Sequence, residues 1–323
     1  MDRNLALNLV RVTEAAALQS ARYLGRGDKN MADEAAVNGM RRMFDTLAID
    51  GVVVIGEGEM DHAPMLYIGE QIGKATEDSI KVDIAVDPLD GTNAVAKGLS
   101  NAISVVAVAP RGCFLHAPDM YMNKIAVGPK AKGRVNLDAP IEDNLYNLSK
   151  ALNKPIRDIT VTMLDRPRHE ELIYKVRKVG ARIKLFQDGD VAAAMATCFE
   201  DSGVDMLVGI GGAPEGVLAA AALKCMGGEF QGRLYPMNSE ERIRCSDMGL
   251  DDINKILTME DMAKGNEIIF AATGISNGEL LKGVVYYENN RAKTNSVVMR
   301  AETGTIRFIE AIHRLDKKPE YAK

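Results

Sequence analysis

Ile84-Ala85-Val86-Asp87-Pro88-Leu89-Asp90-Gly91-Thr92 runs a β-branched strand straight into a turn that carries two carboxylates. Pro88 stiffens that turn and Gly91 lets it fold back, so the oxygens of Asp87 and Asp90 can converge on a hard divalent cation. Thr92 follows with a hydroxyl and a backbone N–H, suited to a phosphate or a water at the start of a helix. The same residues also make an ordinary surface turn, since Asp, Pro and Gly are common turn formers. The sequence on either side bears on which reading applies.

Outward from this stretch, Val52–Ile55, Val82–Val86, Ile103–Ala109 and Lys124–Val127 read as short strands separated by glycine, proline and acidic turns. Ahead of them, Leu5, Leu9, Val12 and Ala16 recur at helical spacing and predict a helix from Asp2 to Leu24, stopped by Gly25-Arg26-Gly27. A second helix is expected from Met31 to Leu47, with Ala36, Met40, Met43, Phe44 and Leu47 as its apolar stripe. From about residue 150 strands and helices alternate, the pattern of an α/β layer. Ile159–Met163, Arg182–Phe186 and Val204–Ile210 read as strands; Pro167–Val179, Val191–Phe199 and Glu215–Met226 read as helices. Strand-like runs return at Glu267–Ala272, Val284–Glu288 and Ser296–Arg300 and can join either sheet. The fold class is α/β, with two tightly packed domains expected to divide near Ser149 to Pro155. Residues 1–150 are expected to form an α+β domain that includes the Asp87–Thr92 turn, and residues 151–323 an α/β domain that includes Glu215. No flexible Gly/Ser linker, internal repeat or low-complexity segment interrupts them.

The chain has 323 residues, 46% hydrophobic and 26% charged, which is globular and long enough for two cores. Forty Lys and Arg against forty-five Asp and Glu leave a net charge of −5, which argues against nucleic acid bound through a general basic field. An anionic ligand must be captured locally. Cys113, Cys198, Cys225 and Cys245 form no C-x-x-C pair, so reduced, mostly buried thiols are expected rather than zinc or a disulfide framework. No apolar leader and no window of about 20 apolar residues is present, which predicts a soluble cytoplasmic protein away from membranes. His62, His116, His169 and His313 are scattered, and neither a G-x-S-x-G elbow nor a G-x-x-x-x-G-K-[ST] loop occurs. An all-oxygen set of Asp and Glu suits Mg²⁺ or Mn²⁺, with a metal-bound water as the natural nucleophile.

Several charged residues stand where predicted elements begin or end. Glu57, in Gly56-Glu57-Gly58-Glu59, leaves the strand ending at Ile55; the third glycine and the helix of a dinucleotide fingerprint are missing there. Asp33 falls in the first turn of the second helix, where it is either a ligand or a complement to the helix dipole. Glu215 lies in Gly209-Ile210-Gly211-Gly212-Ala213-Pro214-Glu215-Gly216, a glycine-rich helix entry that can bring backbone N–H groups to a phosphate. Gln187-Asp188-Gly189-Asp190 repeats the arrangement, with helix capping as an equal reading of either aspartate. Arg166-Pro167-Arg168-His169 places two guanidinium groups at a turn, as phosphate forks or as a solvated pair.

Together these motifs resemble the lithium-sensitive, metal-dependent sugar phosphatase superfamily, with its D-P-[IL]-D-G-[ST] signature, glycine-flanked Glu and later carboxylate at a helix start. Within it, Gly51 to Gly69 (including Ala63-Pro64-Met65), Ala117-Pro118-Asp119-Met120-Tyr121-Met122, Arg166 to His169, Asp188-Gly189-Asp190-Val191 and Gly209 to Gly216 are similar to class II fructose-1,6-bisphosphatases. The similarity extends from Leu5 to about His313. It implies a layered α/β/α/β/α sandwich of the inositol-phosphatase type with its site in the cleft between domains. It implies Asp33, Glu57, Asp87, Asp90 and Glu215 as ligands of two or more Mn²⁺ or Mg²⁺ ions. It implies Asp90, Gly91, Thr92, Tyr121, Arg166, Pro167, Arg168, Asp188, Gly189, Asp190 and Gly212 as substrate contacts. Asp90 departs from the Glu of some relatives, and Tyr235 to Arg242 is shorter than in some members.

The activity so implied is hydrolysis of the C1 phosphate of fructose 1,6-bisphosphate to fructose 6-phosphate and phosphate, a gluconeogenic step. Thr92 would orient the attacking water and pass its proton to a neighbouring carboxylate, with Asp87 and Glu57 completing the catalytic set. Action on sedoheptulose 1,7-bisphosphate, an inositol-type monophosphatase and a non-catalytic sugar-phosphate sensor are the alternatives. A homo-oligomer, dimer or tetramer, is expected.

Overall fold

The computed structural model describes residues 1, 4–57 and 65–323. The expected helix start at Asp2, and Gly58, Glu59, His62, Ala63 and Pro64, lie outside the described residues. In chain order the helices are α1 (Leu5–Ser20), α2 (Lys29–Phe44), α3 (Thr92–Lys97), α4 (Ile141–Leu152), α5 (Glu170–Val179), α6 (Asp190–Ala196), α7 (Ala213–Met226), α8 (Ser239–Asp247) and α9 (Met259–Met262). The strands are β1 (Ile49–Ile55), β2 (Gln71–Ile72), β3 (Ile80–Asp90), β4 (Ile103–Pro110), β5 (Tyr121–Val127), β6 (Thr160–Leu164), β7 (Arg182–Phe186), β8 (Met206–Gly212), β9 (Glu229–Tyr235), β10 (Ile269–Gly274), β11 (Val285–Tyr287), β12 (Arg291–Arg300) and β13 (Thr305–Arg314). The protein is thus a mixed α/β fold with two sheets flanked by helices.

Two compact units result, one of Met1–Leu115 with Gly265–Lys323, the other of His116–Lys264. The junction expected at Ser149 to Pro155 lies inside the second unit, at the end of α4. The division falls where it does because the tail goes home. β10 pairs along its length with β4, Phe270 opposite Ala107, and so returns the C-terminal strands to the first sheet.

In the first unit β11, β12, β10, β4, β3, β1 and β2 follow one another, and β13 pairs along the whole of β12. β1 and β3 are parallel, whereas β3–β4, β4–β10 and β10–β12 are antiparallel. Alternation along β3 sends Ile84 and Val86 to one face, where they join Val106 and Val108 of β4 against α1 and α2. Leu9, Val12 and Ala16 of α1 and Ala36, Met40 and Phe44 of α2 are all fully buried in that core. Removing the Phe44 ring would cost about 3–5 kcal/mol. Helix α2 starts two residues earlier than the apolar stripe suggests because Asp28 caps it, its side chain accepting the Met31 N–H at 3.0 Å.

The second unit orders its five strands β7, β6, β8, β5, β9. β6 runs parallel to both β7 and β8, and β5 is antiparallel to β8 and β9. Ile125 and Val127 of β5 pack with Val161, Met163 and Val208 against Leu145 and Leu148 of α4 and Val176 of α5. The alternate β5 residue Met122 meets α7 instead, at Gly216. Helix α7 is buried around nearly its whole circumference, which is why its alanine run shows no polar face. All four cysteines are free thiols: Cys225 and Cys245 are buried, Cys113 and Cys198 half-buried.

Candidate active site

The first unit collects acids at one edge of its sheet. Because β1 and β3 are parallel, with Ile55 opposite Ala85, Glu57 and Asp87 each lie two residues beyond the last β1–β3 pair. Carboxyl ends of parallel strands are where α/β folds place their ligands. The strand does not end at Val86 as expected: β3 continues to Asp90 through an irregularity between Asp87 and Asp90, which brings Asp90 opposite Ile103. Asp87 Oδ1 accepts the Leu89 N–H at 3.0 Å, which fixes the turn, and the Asp90 side is buried. Gly91 then takes φ +107°, with Ala102 Cα 3.1 Å from where a Cβ would sit, so no other residue fits. Thr92 starts α3, as expected, with its hydroxyl 3.5 Å from the Leu89 carbonyl, too long to hold it.

Asp33 lies in the second turn of α2, not the first, and Asp28 does the capping. The helix-dipole reading of Asp33 therefore falls away. Its carboxyl instead forms a hydrogen bond with Glu57, and burial holds it above the ordinary carboxylate range against that bond.

The second unit does the same with its own parallel strands. β6, β7 and β8 deliver Arg166, Asp188 and Gly212 to one edge, and antiparallel β5 starts there, Tyr121 opposite Gly212. Arg168 stacks its guanidinium over the Tyr121 ring at 4.7 Å and donates to the Ile210 carbonyl at 2.7 Å. Arg166 donates to the carbonyls of Asp165 (2.9 Å) and Gln187 (2.7 Å). Neither arginine is a loose solvated pair member; each is splinted to a neighbouring loop. Pro167 opens a short 3-10 turn, so the helix expected from Pro167 begins as α-helix only at Glu170.

Asp190 is the first residue of α6, after Gly189 at φ +94°, and forms an ion pair with Lys124. Glu215 stands in the first turn of α7. Burial pushes its carboxyl up, Lys124 pulls it down, and Asp190 and Asp119 push it up further. Gly211 and Gly212 leave the room these acids need: a Cβ on Gly211 would strike Asp190, and one on Gly212 would strike Glu215.

Residues 3–313 match the family described as bacterial fructose-1,6-bisphosphatase, glpX-encoded. Fructose-1,6-bisphosphatase 1 class 2 of Escherichia coli (strain K12) is 49% identical, over 98% of this chain and 97% of its own. The class 2 fructose-1,6-bisphosphatases of Escherichia coli O6:H1 (strain CFT073) and Shigella flexneri match at the same 49% identity and the same coverage. The chain belongs to the bacterial glpX-type fructose-1,6-bisphosphatases. Members of this family are metal-dependent phosphatases.

Among the described residues no three His, Cys, Asp or Glu side chains gather into a group that could hold a metal alone. Two acids within hydrogen-bond reach of each other, Asp33 and Glu57, do fit a hard cation: burial disfavours their charge, and a divalent ion can offset it as a proton does. No helix among the described residues is long and apolar enough to cross a membrane.

Two residues went unread. Lys124 is 2% exposed and neutralises Asp190; a lone lysine between apolar Met122 and Ile125 is the available signal. His169 accepts the Ile210 N–H on Nε2 (2.8 Å), so its Nδ1 carries the proton and donates to the Leu164 carbonyl (2.7 Å). Burial holds it below its ordinary pKa, and it ties the arginine turn to β8 as a neutral ring.

Proposed function

We propose that this chain hydrolyses the C1 phosphate of fructose 1,6-bisphosphate, giving fructose 6-phosphate and phosphate. The observation that supports this most is the shared carboxyl edge of the second sheet, which gathers Tyr121, Arg166, Arg168, Asp188, Asp190 and Glu215 in a chain of the glpX type. Asp33, Glu57, Asp87, Asp90 and Glu215 would hold Mn²⁺ or Mg²⁺. A divalent cation bound there supplies charge neutralisation of the phosphate and activation of water.

The chain's own residues do the rest. Thr92 Oγ1, 3.5 Å from the Leu89 carbonyl, orients the attacking water. Its proton passes to Asp87 or Glu57, acids that leave adjacent parallel strands. Arg166 and Arg168, already splinted to carbonyls, offer their remaining N–H groups to the distal phosphate at little entropic cost. Tyr121 closes the sugar against Arg168, while Asp188 and Asp190 accept hydroxyl hydrogens.

The two arginines favour a second phosphate, so sedoheptulose 1,7-bisphosphate remains a substrate to compare and monophosphates do not compete. Phosphate release with Mn²⁺ or Mg²⁺ from fructose 1,6-bisphosphate, sedoheptulose 1,7-bisphosphate and inositol monophosphate tests this directly. Faster turnover of the monophosphate, or binding of the bisphosphate with no release, would replace the reading by one of its alternatives.

A further inference from the structure

Lys124 is among the largest fully buried side chains, yet it lies in the middle of β5, on the face that also carries Met122. A lysine at such a position is costly unless its charge is met, by several kcal/mol. A leucine or methionine would fill the space without that cost. The surrounding fold is shaped around the ammonium. Gly211 leaves Lys124 Nζ and the Asp190 carboxylate their space, since a Cβ there would lie 2.9 Å from Lys124 Nζ and strike Asp190. The cavity lined by Lys124, His169, Asp190 and Gly211 measures only about 10 Å³, room for at most one water, so solvent does not stand in for the pair.

Lys124 makes its ion pair with Asp190 at the start of α6 and acts on Glu215 in the first turn of α7. One cation on β5 thus faces two acids on two helices. Asp119 lies within electrostatic reach of Glu215 as a further acid. Without the ammonium, the Asp190 carboxylate would lose the ion pair that holds it and would face Glu215 as an uncompensated like charge.

We propose that Lys124 is a positioning residue, its buried ammonium fixing the Asp190 carboxylate for the sugar. This rests on the functional reading above, since it assigns Asp190 to the substrate. Lys124 acts through Asp190 and does not touch the reacting atoms.

The test is a double-mutant cycle on the holoenzyme, with Lys124→Met, Asp190→Asn and the double variant, which removes both charges together. Steady-state kinetics on fructose 1,6-bisphosphate and calorimetric binding of fructose 6-phosphate are measured alongside melting temperature. Lys124→Met should raise KM and the fructose 6-phosphate Kd about tenfold or more, with a smaller change in kcat, as expected for losing an oriented charged hydrogen bond. The double variant should be no worse than Asp190→Asn alone. Its comparison with Asp190→Asn also keeps the test alive if Lys124→Met does not fold, because the double variant leaves no Asp190 carboxylate without its ion-pair partner. Additive losses, or a Lys124→Met enzyme that melts lower with wild-type KM and Kd, would overturn the proposal. A wild type that binds fructose 6-phosphate but releases no phosphate overturns the functional reading instead, and the binding cycle then still decides on Lys124.

Discussion

Asp33 and Glu57 meet through a hydrogen bond between their carboxyl groups, one from the second turn of α2 and the other from the exit of β1. Two carboxyl groups can share such a bond only if one holds a proton. Burial supplies it by pushing Asp33 above its ordinary value of 3.8. The sign follows: the metal-free fold keeps this contribution fully below that value and loses it as pH rises through the folded pKa. A divalent cation that replaces the proton should reverse the loss. Mn²⁺ at about a hundred times its Kd should therefore stabilise the wild type by about 2.7 kcal/mol at neutral pH, read as a rise in Tm. Asp33→Ala should show a much smaller rise, and Mn²⁺ affinity should weaken as pH falls. An equal Mn²⁺ response in wild type and variant would remove Asp33 from the ligand set.

Arg168 binds through a stack on Tyr121 and a bond to Ile210, so its fork is oriented before any ligand arrives. Arg168→Ala should raise KM for the bisphosphate about tenfold and lower kcat less, since the lost interaction is positioning. Arg168→Lys should recover little of it, because an ammonium reproduces neither the stack nor the fork. A variant with unchanged KM and depressed kcat would move Arg168 from substrate binding to chemistry.

His313 gives the clearest pH dependence away from the acids. Thr294 Oγ1 donates to Glu14 Oε1 at 3.0 Å, so His313 Nε2 donates to Thr294 at 2.7 Å, and the neutral ring completes the chain. Burial, helped by the charge on Lys318, lowers its pKa to about 4. The unfolded chain takes a proton near 6.5 that the folded one refuses until about 4, so stability present above 6.5 is lost as pH falls through that window. The size is on the order of 1–2 kcal/mol once solvent screening is discounted. Glu14, which burial holds above 4.5, leaves the His313–Glu14 separation of 3.6 Å a weak counterweight. Melting curves from pH 7 to 4 should fall more steeply for the wild type than for His313→Gln. Parallel curves would show that this histidine does not gate acid stability.

Much of this was legible in the sequence because strand exits are local events. Glu57 and Asp87 each follow a β-branched run and Asp188 a short strand of alternating charged and apolar residues, and α/β layers expose such positions at one sheet edge. Arg182–Phe186 was bounded to the residue. Long-range pairing was not legible: nothing local says that β10 joins β4, so the two units divide at Leu115 and Gly265 and not near Ser149. β9 and β13 escaped reading because polar and charged residues interrupt them, Arg233 in one and Arg307 and Glu310 in the other. The apolar stripe places Asp33 one turn too early because the cap, Asp28, lies ahead of it. The role of Lys124 is not legible in the sequence because a buried charge obeys its partner, Asp190, which lies 66 positions away.

The central claim is that the acids at the exits of β1 and β3 make this chain a phosphatase for a sugar bisphosphate. Phosphate release from fructose 1,6-bisphosphate in the presence of Mn²⁺ or Mg²⁺, with fructose 6-phosphate identified as the product, measures it most directly in wild type and Asp87→Ala. The account predicts turnover by the wild type and a loss of about a hundredfold or more in the variant, with an unchanged circular dichroism spectrum. A folded Asp87→Ala protein that releases phosphate at the wild-type rate would contradict it.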